Sequence, residues 1–169
     1  MPVALPEPSV RFQGLIFRAL NPIWAAKPLS GEGAARHGGR FNPKGRPALY
    51  CALSIMGAVA ETTQMGRPFE PVVLVCLEAD IDGIFDACDA AHLASRGITA
   101  AGIAAEDWRG EMQRNGRSRS QDLAEILRGA GYCGMKVPSF AKGAPLDARN
   151  LVLWKWDGLR LIDTEQRLK

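Results

Sequence analysis

The stretch HGGRFNPKGRPALY, residues 37–50, combines three glycines and two prolines with two arginines, a lysine and a histidine, and it ends in an apolar strand pattern. Glycine allows backbone conformations and close approaches that other residues avoid, and basic side chains attract anions. The stretch therefore predicts a loop whose backbone wraps an anionic ligand. It lacks the GxGxxG pattern that opens a helix in a Rossmann fold, so that architecture is not expected.

Regular elements are predicted on both sides of this loop. The segment GLIFRAL, residues 14–20, is typical of a strand, and ALYCAL, residues 48–53, is typical of a buried strand. Ser54 is a suitable N-cap for a helix over IMGAVAETTQM, residues 55–65. From Asn21 to Pro47 glycine and proline exclude a long regular element, and we expect an irregular segment with a functional role.

Strands and helices also alternate in the predicted second half of the chain. The run PVVLVCLEA, residues 71–79, suits a strand covered on both faces. Short helices are expected around AEDWRGEMQR and over DLAEILRGAGY, separated by an exposed basic turn, NGRSRSQ, at residues 115–121. Further strands are expected within YCGMKVPSF, residues 132–140, and RNLVLWKW, residues 149–156.

These elements together predict an α+β fold. We expect one compact domain over residues 14–169, with a split mixed β-sheet core flanked by short helices, and a loose N-terminal arm over residues 1–13. The chain of 169 residues is 47% hydrophobic and 23% charged, which is ordinary for a single globular domain.

Composition also limits the classes of partner. A formal net charge of +3 is too small to require nucleic acid. The four cysteines form no CxxC pair and there are only two histidines, so no metal-ligand spacing is visible and no metal is expected. No stretch approaches the roughly 18 apolar residues of a membrane span, and no basic segment followed by an apolar run opens the chain. A cytoplasmic protein without membrane or direct nucleic-acid contact is the expectation.

Five polar side chains lie at the edges of predicted apolar elements: Arg18, Arg40, Tyr50, Glu61 and Ser139. An arginine in a half-buried position needs an anionic partner, which could be a carboxylate of the chain or a ligand phosphate. Each residue also has an ordinary structural alternative. The arginines could form ion pairs, the tyrosine could belong to the core, the glutamate could face solvent and the serine could cap a turn. Only their combination favours a site.

In this order the residues resemble the signature of the RES domain family, which is named for an arginine, a glutamate and a serine. The matching residues are Arg40 in GGRFN, Glu61 in AVAE, Ser139 in VPSF, Arg18 in IFRAL, Tyr50 in ALYCA, and the NLVL segment that begins at Asn150. The resemblance covers about residues 14 to 156. Phe41 stands where the family usually has a tryptophan, which keeps an aromatic ring at that position.

The resemblance implies a toxin of a bacterial type II toxin–antitoxin pair, with a fold similar to mono-ADP-ribosyltransferase toxins and NAD+ as substrate. The implied partner is a helical Xre-type antitoxin that occludes the cleft. The expected activity is transfer of ADP-ribose to a cytosolic protein. Degradation of NAD+ by water or phosphate, with no protein acceptor, is the near-equal alternative.

A site can be assigned on this basis. A carboxylate stabilises an oxocarbenium-like sugar, arginine forks match pyrophosphate oxygens, and an aromatic ring can stack on nicotinamide. The expected catalytic residues are Glu61, Arg40 and Tyr50. The expected NAD-binding residues are Arg18, Arg40, Tyr50, Ser139, Gly39, Asn150 and His37.

Two other classes of function remain open from the residues alone. A nucleic-acid-acting module is disfavoured because basic residues are dispersed and no recognition motif is present. A purely structural protein, whose polar residues only form an interface, would tolerate replacement of Glu61.

Overall fold

The structure is a computed structural model that describes residues 4–63 and 69–168. Its described strands form one sheet in the order β1-β2-β5-β4-β3-β6, in which only β3 and β4 run parallel. The strands are β1 (Val10–Leu20), β2 (Leu49–Ala52), β3 (Val73–Asp86), β4 (Gly134–Pro138), β5 (Arg149–Leu153) and β6 (Leu159–Leu161). Because β1 also pairs with β3 along its whole length, the first five strands close into a ring.

Short helices surround the sheet, which confirms the expected α+β class. Those in the described part of the chain are α1 (Glu32–His37), α2 (Ile55–Thr62), α3 (Ala90–Ser95), α4 (Ala100–Ala104), α5 (Trp108–Asn115) and α6 (Arg119–Gly129), with a 3-10 turn at Pro22–Trp24. None of the helices within residues 4–63 and 69–168 has the length and apolar content of a membrane span.

The two faces of the sheet pack into two separate cores. Side chains alternate along a strand, so Leu151 and Leu153 enter one core while Val152 between them enters the other. The first core lies among the strands themselves. The second lies under the helices, where Leu123 and Leu127 of α6 are completely covered or nearly so. The residues that form the site lie on this helical side of β2 and β5.

The N-terminal strand is longer than predicted. It begins at Val10, which pairs with Ile84, so residues 10–13 belong to the sheet and the predicted loose arm over 1–13 is wrong for this part. The segment before it is also anchored, because the Tyr132 hydroxyl donates to the carbonyl oxygen of Pro8 at 2.9 Å. Residues 1–3 of that arm lie outside the described residues.

Two other predictions differ from the structure. Strand β3 continues to Asp86 and alternates buried with exposed side chains over much of its length, so it is not covered on both faces as expected. The predicted exposed basic turn at 115–121 contains three buried polar residues, Ser118, Ser120 and Gln121. Ser118 caps α6 and exchanges hydrogen bonds with Gln121 in a capping box, which explains the burial.

The helix predicted over residues 55–65 begins as expected, with the Ser54 hydroxyl accepting from the Gly57 amide at 3.0 Å. The helix ends at Thr62, and residues 64 and 65 of the prediction lie outside the described part. Neither α1 nor β6 was predicted.

Gly134 gives a direct test of the closed sheet. A Cβ at this residue would overlap the carbonyl oxygen of Val152 and lie 2.8 Å from a methyl group of Leu153. Because the obstacle is strand backbone, we expect Gly134→Ala to lower the free energy of unfolding by at least about 2 kcal/mol, measured by urea denaturation. Gly129→Ala is the matched control, since no atom lies within 4 Å of its added Cβ at the end of α6. Equal stability of the two variants would contradict the pairing of β4 with β5.

Candidate active site

A cleft on the helical side of the sheet consists of two neighbouring cavities, of about 390 and 380 Å³. We call them the first and the second cavity. They share four lining residues, Arg40, Tyr50, Trp108 and Arg109, which form a neck between them. Arg18 lines only the first of the two, and Glu61 lines only the second. The predicted arginines and the predicted glutamate therefore meet in one cleft.

The glycine loop is folded by a buried amide, that of Asn42, which is 1% exposed. Its Nδ2 donates to the carbonyl oxygens of Ala34 at 2.9 Å and Arg46 at 2.8 Å. Its Oδ1 accepts from the Tyr50 hydroxyl at 2.6 Å. One side chain thus ties both ends of the loop to strand β2, and this fixes the loop as one wall of the cleft.

A second buried amide holds the loop from the helical side. Gln121 Nε2 donates to the carbonyl oxygen of Gly39 at 2.9 Å and to that of Asn42 at 3.2 Å. Gln121 is fully buried, so these contacts satisfy groups that water cannot reach. No pattern in the sequence indicates that Gln121 contacts this loop. Asn42, in contrast, lies within the GGRFN motif of the loop itself.

The Tyr50 hydroxyl is a structural group in this arrangement. It donates to Asn42 and accepts from the Phe41 amide at 3.0 Å. Burial raises the pKa of the Tyr50 phenol well above its ordinary value, so the group stays neutral at physiological pH. A Cβ on Gly39 would overlap this hydroxyl and lie 2.6 Å from Asn42 Oδ1, so only glycine fits there. Gly39 therefore shapes the cleft wall against Tyr50.

Arg40 is held at the neck by backbone oxygens and aromatic rings. Its Nη1 donates to the carbonyl oxygens of Ile103 at 3.1 Å and Ala105 at 2.7 Å. Its guanidinium carbon lies 4.5 Å from the ring centroid of Phe140 and 5.9 Å from that of Trp108. These contacts fix the guanidinium in the cleft.

The charges around Arg40 favour an anionic ligand. Burial lowers the pKa of the Arg40 guanidinium, and the neighbouring Arg109 lowers this pKa further. The carboxylates of Glu61 and Glu106 act in the opposite direction. Two cations brought together beside a cavity repel each other, and an anion between them removes that cost.

Arg18 is also partly buried, but its hydrogen bond holds a different segment from the one that Arg40 contacts. Its Nη1 donates to the carbonyl oxygen of Pro28 at 2.6 Å, which ties the segment before α1 to strand β1. Burial lowers the pKa of the guanidinium. Arg18 lines the first cavity and also a smaller one of about 290 Å³ that Glu61 lines as well.

Glu61 occupies the last turn of α2 and is oriented by two polar side chains. Its Oε1 accepts from the Ser139 hydroxyl at 2.9 Å and from Asn150 Nδ2 at 2.7 Å. Ser139 follows β4 and Asn150 lies in β5, so neighbouring strands aim both donors at one oxygen. We predicted both residues to bind NAD+, and in the structure both contact Glu61. Asn150 also lines the second cavity, whereas Ser139 lines neither cavity. Asn150 Oδ1 is buried and makes no hydrogen bond to any residue described here.

The remaining predicted residue, His37, does not reach the cleft. It is the last residue of α1, its side chain is exposed, and it lines neither cavity. Arg109 and Trp108 line both cavities and were missed as site residues, because nothing in the local sequence marks the first turn of α5 as part of a cleft. Within residues 4–63 and 69–168, no three His, Cys, Asp or Glu side chains converge as metal ligands.

A cleft with cations at its neck and one oriented carboxylate can hold an anion and stabilise positive charge on a group beside it. The chain belongs to the RES domain family, whose sequence model matches residues 15–168.

The fold also occurs in a solved structure. A chain of the crystal structure of the M. tuberculosis MbcT-MbcA toxin–antitoxin complex superposes with a TM-score of 0.70. The match has 23% sequence identity and covers 92% of this chain and 84% of that chain, which shows a shared fold. No curated protein sequence matches the chain.

The contribution of the Tyr50 hydroxyl to the stability of the fold can be tested with the variant Tyr50→Phe. The variant leaves Asn42 Oδ1 and the Phe41 amide without a partner, so we expect the free energy of unfolding to fall by about 1–3 kcal/mol. Since the folded pKa is raised, the stabilisation by this hydroxyl is fully present below about pH 10 and decreases as the unfolded phenol ionises above it. Urea denaturation of both proteins from pH 7 to 11 measures this. Equal stability at pH 7, or a difference that does not shrink above pH 10, would contradict the assignment.

Proposed function

We propose that this protein is a cytoplasmic toxin that binds NAD+ in the cleft, breaks the bond between nicotinamide and ribose, and passes ADP-ribose to a protein. The observation that carries the proposal is the position of Glu61, a carboxylate oriented by Ser139 and Asn150 in the cavity next to an arginine neck. Membership of the RES domain family supports NAD+ as the substrate.

The geometry fits the chemistry of this bond. When the glycosidic C–N bond breaks, its electron pair goes to the ring nitrogen, so nicotinamide leaves as a neutral molecule and needs no general acid. The sugar acquires positive charge, which a fixed carboxylate stabilises. The hydrogen bonds from Ser139 and Asn150 hold Glu61 in one orientation before the substrate arrives, so little reorganisation is needed in the transition state.

The arginines at the neck would bind the pyrophosphate. Arg40 and Arg109 line both cavities, so a dinucleotide that spans them has its two phosphates beside these guanidiniums. Binding of this remote part of the substrate would hold the reacting sugar against Glu61.

A docked protein is favoured by apolar side chains near the start of α2, the helix that carries Glu61. Ile55 is 49% exposed and Met56 is 64% exposed. Exposed apolar residues near a cleft suit a docked protein, either the target or an antitoxin. We propose an Xre-type antitoxin as the partner that covers the cleft, and the fold shared with a chain of a toxin–antitoxin complex supports this.

Degradation of NAD+ is the second candidate, because the same cleft and the same oriented carboxylate would serve a small acceptor that attacks the sugar. Phosphate would then attack in place of a protein side chain and yield a phosphorylated ADP-ribose. Water would yield free ADP-ribose.

The test uses NAD+ labelled in its adenylate half, added to cell lysate with purified protein, with and without phosphate. Glu61→Gln keeps an oxygen that can accept from Ser139 and Asn150 but removes the charge, so we expect NAD+ cleavage to fall by about 10²–10³-fold. Glu78→Gln is the matched control, since Glu78 of β3 pairs with Arg160 of β6 and lines neither cavity of the cleft.

The position of the label separates the acceptors. Label on a protein band supports transfer, whereas label only in ADP-ribose or its phosphorylated form supports degradation. Full activity of Glu61→Gln would contradict the proposed role of the carboxylate, and absence of any NAD+ cleavage by the unaltered protein would contradict the function itself.

A further inference from the structure

The charged side chains that line the first cavity are all positive. Its cationic side chains are those of Arg18, Lys27, Arg40 and Arg109, and no Asp or Glu of the described residues lines it. The neck arginines can offset the two charges of a pyrophosphate. The positive charges of Arg18 and Lys27, elsewhere in the lining of the first cavity, then remain. An electropositive cavity with aromatic walls is the usual chemistry of a nucleotide site.

One of its aromatic walls is Trp24, which the chain holds in place before any ligand binds. Trp24 ends the 3-10 turn that Asn21 caps, with Asn21 Oδ1 accepting from the Ile23 amide at 3.1 Å. The guanidinium of Arg36 lies 5.7 Å from the centroid of the Trp24 ring, and Glu32 holds that guanidinium through a 2.6 Å contact. A ring with one side supported in this way is ready to stack on a flat ligand.

The segment after Trp24 is ordered as well. The Lys27 amide donates to the Trp24 carbonyl oxygen at 2.9 Å, and the Ser30 amide donates to the Lys27 carbonyl oxygen at 3.0 Å. Arg18 anchors the same segment to the sheet through Pro28. Trp24, Lys27 and Ser30 therefore face the first cavity as one unit.

We propose that the first cavity is the adenosine subsite of the cleft, with the adenine ring stacked on Trp24 and with Lys27 beside the ribose and its phosphate. This rests on the proposed function for its orientation, because Glu61 in the second cavity places the reacting ribose there and the shared arginines place the pyrophosphate at the neck. Adenine is then left to the first cavity, the one lined by Trp24, Lys27 and Ser30.

Binding of AMP tests the subsite without any reaction. Calorimetry with AMP should give at least about tenfold weaker binding for Trp24→Ala than for the unaltered protein, since stacking on an aromatic side chain is lost. Trp24→Phe should retain most of the affinity because it keeps a ring.

Lys27→Ala, at an exposed position where folding is not at risk, should weaken AMP binding severalfold, and the effect should diminish at high salt. Ile23→Ala is the matched control, because Ile23 belongs to the same turn, is 76% exposed and does not line the cavity.

A comparison of substrates tests the orientation. Nicotinamide mononucleotide has the reacting ribose but no adenosine. Trp24→Ala should therefore raise KM for NAD+ about tenfold, with a smaller change in kcat, while cleavage of the mononucleotide changes much less. An equal loss for both substrates would overturn the proposal, because Trp24 would then act on the reacting end or on the fold.

The outcomes separate this proposal from the function on which it rests. AMP binding that depends on Trp24, in a protein that cleaves neither substrate, would support the adenosine subsite and refute NAD+ cleavage. Cleavage of NAD+ with AMP affinity equal in Trp24→Ala and the unaltered protein would support the function and overturn the subsite.

Discussion

The hydrogen bonds of the Tyr50 hydroxyl connect the sheet of this protein to the glycine loop that forms one wall of its cleft. Tyr50 lies in β2 opposite Val152, so the sheet determines where its side chain points. Its hydroxyl meets the buried amide of Asn42, which in turn holds the glycine loop at both ends. Two further contacts hold the same loop: the Trp154 indole after β5 donates to the carbonyl oxygen of Phe41 at 3.0 Å, and the buried Gln121 amide donates to that of Gly39. Gly39 and Arg40 belong to this loop and line the cleft, so the contact of Tyr50 with Asn42 helps to set the shape of the cleft wall.

Charge and hydrogen bonding are divided between the two parts of the cleft. The neck and first cavity concentrate arginines that are held mainly by backbone oxygens and aromatic rings, so their charge remains available to a ligand. The second cavity contains Glu61, whose orientation is set by donors from two neighbouring strands. Holding like charges close together costs free energy in the empty protein, and a bound polyphosphate offsets this cost. The proposed function uses this division, with anion binding in the arginine-rich part of the cleft and stabilisation of positive charge beside Glu61.

The sequence predicted the residues of local motifs and missed those that act from a distance. Arg40 and Tyr50 flank one loop, and Glu61 follows within the next helix, so their proximity could be read along the chain. Gln121 contacts the same loop from 82 residues away, and no local pattern indicates such a contact. The basic turn was expected to be exposed because its composition is polar, yet the capping box of Ser118 buries part of it. Ser139 and Asn150 were predicted to bind NAD+, and their hydrogen bonds to Glu61 could not be predicted without the order of the strands.

The most direct test of this account is a crystal structure of the Glu61→Gln variant with NAD+. The account predicts that the dinucleotide spans both cavities, with its pyrophosphate in hydrogen-bond contact with Arg40 and Arg109 and its nicotinamide ribose beside residue 61. A dinucleotide bound elsewhere on the protein, or one whose pyrophosphate contacts neither arginine, would contradict it.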